Sequence, residues 1–166
     1  MTTKKVLVVH YSSTGNTRKV GEAIASALSA DVEAIREVNP RQAVPQGEGL
    51  GSVLSFMRTG FRAITGRATP IVDPQFDPAS YSLLIVGTPV HAGSVSAPVR
   101  AYLQRFADRL TKVAFFCTGG DPENRKVFEQ MKEICGTKPA AIFAFHAPRV
   151  EADEFSPQMQ EFVAAL

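Results

Sequence analysis

The sequence predicts an α/β protein with one parallel sheet wrapped by helices on both faces. Short apolar runs such as Val6-Leu7-Val8-Val9 alternate along the chain with longer stretches whose apolar residues recur at helical spacing. Those runs are apolar at nearly every position, as strands covered on both sides require. The 166 residues, 45% apolar and 20% charged, suit one compact domain whose core needs no disulfide or metal staple.

Val6–Val9 is the expected first strand. Thr17–Ala30 follows as a helix with Val20, Ile24, Ala27 and Leu28 on one face. Val32–Val38 alternates apolar and charged residues, which suits an edge strand with one wet face. Leu83–Gly87 is the next buried run. Val99, Tyr102, Leu103, Phe106 and Leu110 then mark a helix that Ser96 and Pro98 would start. Val113–Cys117 is a strand, and Val127, Phe128, Met131, Ile134 and Cys135 line the helix after it. Asp121-Pro122-Glu123 reads as that helix's start: a capping carboxylate, a first-turn proline and an acid facing the dipole. Ala141–Phe145 is the last strand, and Ser156-Pro157 opens a final helix carrying Met159, Phe162, Val163 and Leu166. Residues 39–80 are expected to be a long crossover with one amphipathic helix, so that 1–166 forms a single domain.

Several functions are excluded at this level. A net charge of +2 is too small to drive nucleic-acid or membrane binding. No apolar run approaches the ~18 residues of a membrane span, and the N-terminal residues lack a signal-peptide core. Cys117 and Cys135 form no Cys-x-x-Cys pair and read as reduced packing thiols of a cytoplasmic protein. His10, His91 and His146 show no metal-ligand spacing, so no metal is expected.

In an open parallel sheet, ligands bind beyond the carboxyl ends of the strands. The loops Tyr11–Thr17, Thr88–Val95 and Thr118–Pro122 occupy those ends. Ser12-Ser13-Thr14-Gly15-Asn16-Thr17 packs four hydroxyls, an amide and a glycine between a buried strand and a helix start. Hydroxyls and backbone N–H groups can converge there on an anion favoured by the helix dipole. A polar turn that only caps the helix is the plainer alternative, but it needs fewer hydroxyls. The loop is not a Walker loop, because Gly15 and Gly21 lack its spacing and no Lys-Ser/Thr pair follows. Gly47, Gly49 and Gly51 likewise fail the dinucleotide fingerprint, with Ser52 in its last position. No Ser-His-Asp or paired-carboxylate arrangement points to hydrolysis.

These motifs together resemble the flavodoxin-like family. Ser12–Thr17 after a first apolar strand resembles its FMN-phosphate loop. Leu84–Gly93 resembles its third strand and first flavin-flanking loop, and Phe115–Asp121 its fourth strand and second flanking loop. The resemblance implies a three-layer sandwich with a five-stranded parallel sheet in the order 2-1-3-4-5. It implies FMN as cofactor, with Ser12, Ser13, Thr14, Gly15, Asn16 and Thr17 around the phosphate. Thr88, Pro89, Val90, His91, Ala92 and Gly93 would run along the flavin ring, opposite Thr118, Gly119, Gly120 and Asp121. His91 stands where many relatives place a stacking aromatic. Thr118–Asp121 lacks the tyrosine that often covers the other ring face.

The implied function is electron carriage through bound flavin, to a partner protein or to a small acceptor such as a quinone. An NAD(P)H-dependent, FMN-containing quinone reductase is the alternative, and a non-redox binding module on the same fold is a third reading. No catalytic residue or oligomeric state is assigned. Phe56, Met57 and Phe61 on the crossover helix suit core packing better than a lid over the flavin. Residues 41–67 carry four arginines, Arg41, Arg58, Arg62 and Arg67, against Glu48, a local +3. Arg58 and Arg62, one turn apart, suggest a basic helix face that is either solvated or docks an anionic group.

Overall fold

Val6–His10 forms strand β1, whose middle residues Leu7, Val8 and Val9 are fully buried. The computed structural model describes residues 5–39, 69–121 and 123–166. The expected crossover helix, with Phe56, Met57, Phe61 and its arginines, lies outside these residues, as does Pro122.

The remaining elements follow in chain order. They are α1 (Asn16–Leu28), β2 (Asp31–Ala34), β3 (Leu83–His91), β4 (Ser94–Val95), α2 (Ala97–Phe106), β5 (Val113–Gly119), α3 (Arg125–Cys135), β6 (Ile142–His146), α4 (Ala147–Glu151) and α5 (Ser156–Ala164). The main sheet runs β2-β1-β3-β5-β6, all parallel, which is the expected order once the short β4 is set aside. β4 pairs antiparallel with the far end of β3, a hairpin that the sequence reading did not anticipate.

Because the strands are parallel and covered twice, their side chains feed two cores by simple alternation. Leu7 and Val9, Leu84 and Val86, and Val113 and Phe115 point to the layer of α2 and α3, where Tyr102, Leu103, Phe128 and Met131 meet them. Val8, Ile85, Ala114, Phe116 and Phe145 point to the other layer, against Val20 and Ile24 of α1 and Phe162 of α5. Phe116 and Phe145 meet edge to face, with centroids 6.0 Å apart. A Cβ on Gly87 would lie 2.0 Å from Phe116 Cζ, so the ring occupies the space where any other β3 residue would stand.

Four boundaries differ from the expected ones. β2 stops at Ala34 and does not run to Val38; Ile35 instead donates its N–H to His10 O at 2.7 Å. β3 runs past Gly87 to His91, and β5 past Cys117 to Gly119. α3 begins at Arg125, not at Asp121. The Asp121 carboxylate accepts from Glu123 N–H at 2.9 Å in a turn of its own, and Asn124 then takes a left-handed conformation (φ 42°) before the helix starts.

The described return of the crossover is fastened by acids. Glu33 accepts from the N–H groups of Gln75 (2.5 Å) and Phe76 (3.3 Å). Asp77 takes both oxygens' worth of bonding from Arg109, at 2.8 and 2.7 Å. Among the described residues, no helix is long and apolar enough to cross a membrane.

Candidate functional site

Parallel strands send all their carboxyl ends to one edge of the sheet. The register aligns His10 with Gly87, Gly87 with Phe116 and Pro89 with Thr118, so the loops after β1, β3 and β5 sit side by side. These are the three loops singled out in the sequence.

The first loop turns on Gly15, whose φ of 101° only glycine adopts without strain. Ser12 Oγ accepts from Gly15 N–H at 3.0 Å and closes the turn. Lys19 N–H is the first to find a helical acceptor, Gly15 O at 2.9 Å. The N–H groups of Asn16, Thr17 and Arg18 therefore lack an intrahelical partner at the positive end of α1. Ser13 and Thr14 are exposed at the tip, and Thr17 is buried.

The second loop is a hairpin. Val90 pairs with Val95 and His91 with Ser94, leaving Ala92 and Gly93 as a two-residue turn with φ of 48° and 70°. Both positive values fit the primed turns that hairpins favour. Gln130 of α3 grips the returning strand: its Oε1 accepts from Val95 N–H at 3.0 Å, and its Nε2 donates to Ser94 Oγ at 3.3 Å. The buried Thr88 hydroxyl bonds Ser96 Oγ at 3.0 Å and Pro89 O at 2.9 Å, spanning the base. Thr88 thus ties the loop together instead of facing its mouth.

The third loop abuts the second at Gly119, where an added Cβ would lie 2.9 Å from Val90 Cγ2. Asn124 Nδ2 donates to Asp121 O and holds the loop closed from below.

Side chains tie the three loops together. Thr17 Oγ1 and Thr118 Oγ1 are 2.8 Å apart in a buried hydrogen bond between the first and third loops. Ser13 Oγ lies 3.4 Å from His91 Nε2, linking the first and second. Thr17 and Thr118 are therefore braces. The Asn16 side-chain amide donates to Glu151 Oε1 of α4 at 2.9 Å. Glu151 was absent from the sequence reading, and a contact spanning 135 positions leaves no local signal.

Two buried groups lie beneath the loops. Among the described residues, His10 Nδ1 has no hydrogen-bond partner, and burial, helped by Arg18, pushes the imidazole pKa down to about 4. The Cys117 thiol is fully buried and pushed up to about 12, by burial first and Asp121 second. Cys117 is a packing residue of the α2/α3 core.

Among the described residues, a Cβ built on Gly15, Gly93 or Gly120 meets no atom within 4 Å. Exposed Ser13 and Thr14 lie at this edge beside the N–H groups that open α1, a donor set that suits an anion. A separate hollow beside β2, lined by Glu33, Ile35, Arg36, Ile71 and Tyr102, has room for about one water and none for a ring system. Among the described residues, no group of His, Cys, Asp and Glu could hold a metal ion.

Strand order, layers and loop placement make this a flavodoxin-like three-layer sandwich. No protein-family model and no curated sequence matches the chain. Solved structures do. A flavoprotein from Lactobacillus acidophilus NCFM in complex with FMN superposes with a TM-score of 0.69 at 20% identity, over 93% of this chain and 99% of that one. The two-electron reduced flavodoxin of Megasphaera elsdenii gives 0.55 at 21% identity, over 96% of each chain. The apo form of an NADH:FMN oxidoreductase gives 0.51 at 16%, over 98% of this chain and 87% of the other. At these identities the likeness establishes the fold.

Proposed function

We propose that the protein binds FMN at the three-loop edge and carries electrons through it. The observation that carries this reading is the convergence of a hydroxyl-rich helix-start loop with two further loops, tied by the Thr17–Thr118 and Ser13–His91 contacts. The N–H groups of Asn16, Thr17 and Arg18, with Thr14 and Ser13, would hold the phosphate monoester. Hydrogen bonds to a charged group contribute roughly 1.5–3 kcal/mol each, so no lysine is required. Val90, His91 and Gly93 would border one side of the ring, and Gly119, Gly120 and Asp121 the other. Bound FMN supplies reversible uptake of electrons or hydride. The chain's own contribution is to orient the ring between the second and third loops and leave its outer edge accessible.

The protein is expected to take up added FMN, read as flavin absorbance that survives desalting and as the mass of the released chromophore. A colourless product that takes up no FMN would overturn the reading and leave a non-redox binding module. A quinone reductase is favoured by one feature: Thr118–Asp121 holds no aromatic to cover the ring. Steady NAD(P)H consumption with a quinone and no partner reductase would select that reading. Silence in that assay, from flavin-loaded protein, would select the carrier.

A further inference from the structure

Four side chains of the first loop have intramolecular partners. Ser12 bonds the Gly15 amide, Ser13 approaches the His91 imidazole, Thr17 bonds the Thr118 hydroxyl, and Asn16 bonds the Glu151 carboxylate. Glu151 alone among these partners carries negative charge. A phosphate monoester carries nearly two negative charges at neutral pH, and it would approach the same loop.

The position of Glu151 is built into the fold. α4 follows β6 directly, with Pro148 in its first turn, and buried Val150 packs in the α1 core. Lys19 of α1 fastens the segment by donating to Val150 O at 3.1 Å and to Asp153 Oδ1 at 2.8 Å. That second bond matters for charge: the described bonds of Lys19, the lysine of α1, go to Val150 O and Asp153 Oδ1 and not to Glu151. Its described hydrogen bond is to the Asn16 amide. A charged acceptor holds such a donor more firmly than a neutral one does.

We propose that Glu151 is an affinity-determining residue of the phosphate loop, a resident carboxylate that competes with the incoming phosphate for the Asn16 amide and keeps that group exchangeable. The proposal rests on the reading of the first loop as a phosphate site. Its physical content is like-charge competition at one donor. Binding must either displace the carboxylate from Asn16 or tolerate it beside the phosphate, and both weaken the hold on FMN. Riboflavin, which has the ring and no phosphate, is indifferent to it.

The test titrates the full-length protein with FMN and with riboflavin, following quenching of flavin fluorescence. Glu151→Gln keeps an acceptor for Asn16 and removes the charge, whereas Glu151→Ala removes both. Both variants are expected to bind FMN roughly three- to tenfold more tightly than the parent protein, with riboflavin affinity unchanged. Unchanged FMN affinity in both variants overturns the proposal while the phosphate reading stands. Weaker binding by Glu151→Ala alone overturns it too, and makes Glu151 a brace for Asn16. An equal gain for riboflavin also overturns it, because the effect would not act through phosphate. If no form binds FMN and inorganic phosphate shifts no amide resonance of residues 12–18, the phosphate reading fails and takes the proposal with it.

Discussion

His10 shows how a single side chain beneath the site sets a pH limit on the fold. Its ring lies against Gly21, where an added Cβ would come within 2.9 Å of Cδ2, and its Nδ1 is buried without a partner among the described residues. Burial and then Arg18 bring its pKa to about 4, against about 6.5 in the unfolded chain. The unfolded state therefore binds more protons between those values, and stability falls as pH drops through that window. From pH 7 to pH 4.5 this one group is expected to cost roughly 2 kcal/mol. Urea unfolding at the two pH values checks it: a His10→Leu variant should lose less stability than the parent by about that amount, and an equal loss would sink the assignment. Thr14 tests the site itself. It is exposed at the loop tip, so Thr14→Glu should leave the unfolding midpoint nearly unchanged. The same change should abolish FMN uptake by placing a carboxylate at the proposed phosphate position, and retention of flavin at parental affinity would remove this loop from the proposed site.

The β3–β4 hairpin is an element whose geometry runs against one of its residues. Ala92 sits at φ 48°, where a Cβ costs roughly 1–2 kcal/mol, at a turn position that asparagine and glycine favour. Ala92→Asn is expected to raise stability by about 0.5–1 kcal/mol, seen as a higher thermal midpoint. A fall would show that Ala92 is held by contacts that asparagine disrupts. The same hairpin marks the limit of what the sequence made legible. Strands β1, β3 and β5 could be read because Val6–Val9, Leu83–Val86 and Val113–Cys117 are apolar at nearly every position, and only burial on both faces produces that pattern. The first loop could be read because its hydroxyls and Gly15 are local. β4 could not, because two residues carry no periodicity and their pairing depends on Gln130, which lies 35 positions away. The start of α3 was misplaced because Asp121, an apparent cap, spends its carboxylate on a turn with Glu123. Thr17, Thr88 and Thr118 are buried, and their hydroxyls bond within the protein. Propensity identifies a hydroxyl-rich loop, whereas only the packing decides which hydroxyls are already spent.

At the scale of the molecule, the site and the fold form together. The loops come from residues 11–17, 88–95 and 118–122, and the strap on Asn16 comes from Glu151, so the proposed anion site has no local version in the unfolded chain. A ligand that binds only the folded state stabilises it by RT ln(1 + [L]/Kd), about 2.7 kcal/mol at a hundredfold excess over Kd. For a chain of this size that corresponds to an increase in Tm of about 5–10 °C. FMN at that excess is expected to produce such a shift. Riboflavin at the same concentration should produce a much smaller one, because the helix-start amides have no phosphate to hold. The comparison separates the two halves of the site, since both ligands present the same ring to the second and third loops. Equal shifts would place the binding energy in the ring alone and make the hydroxyl-rich turn a helix cap. A shift with neither would mean that the three-loop edge serves some other ligand.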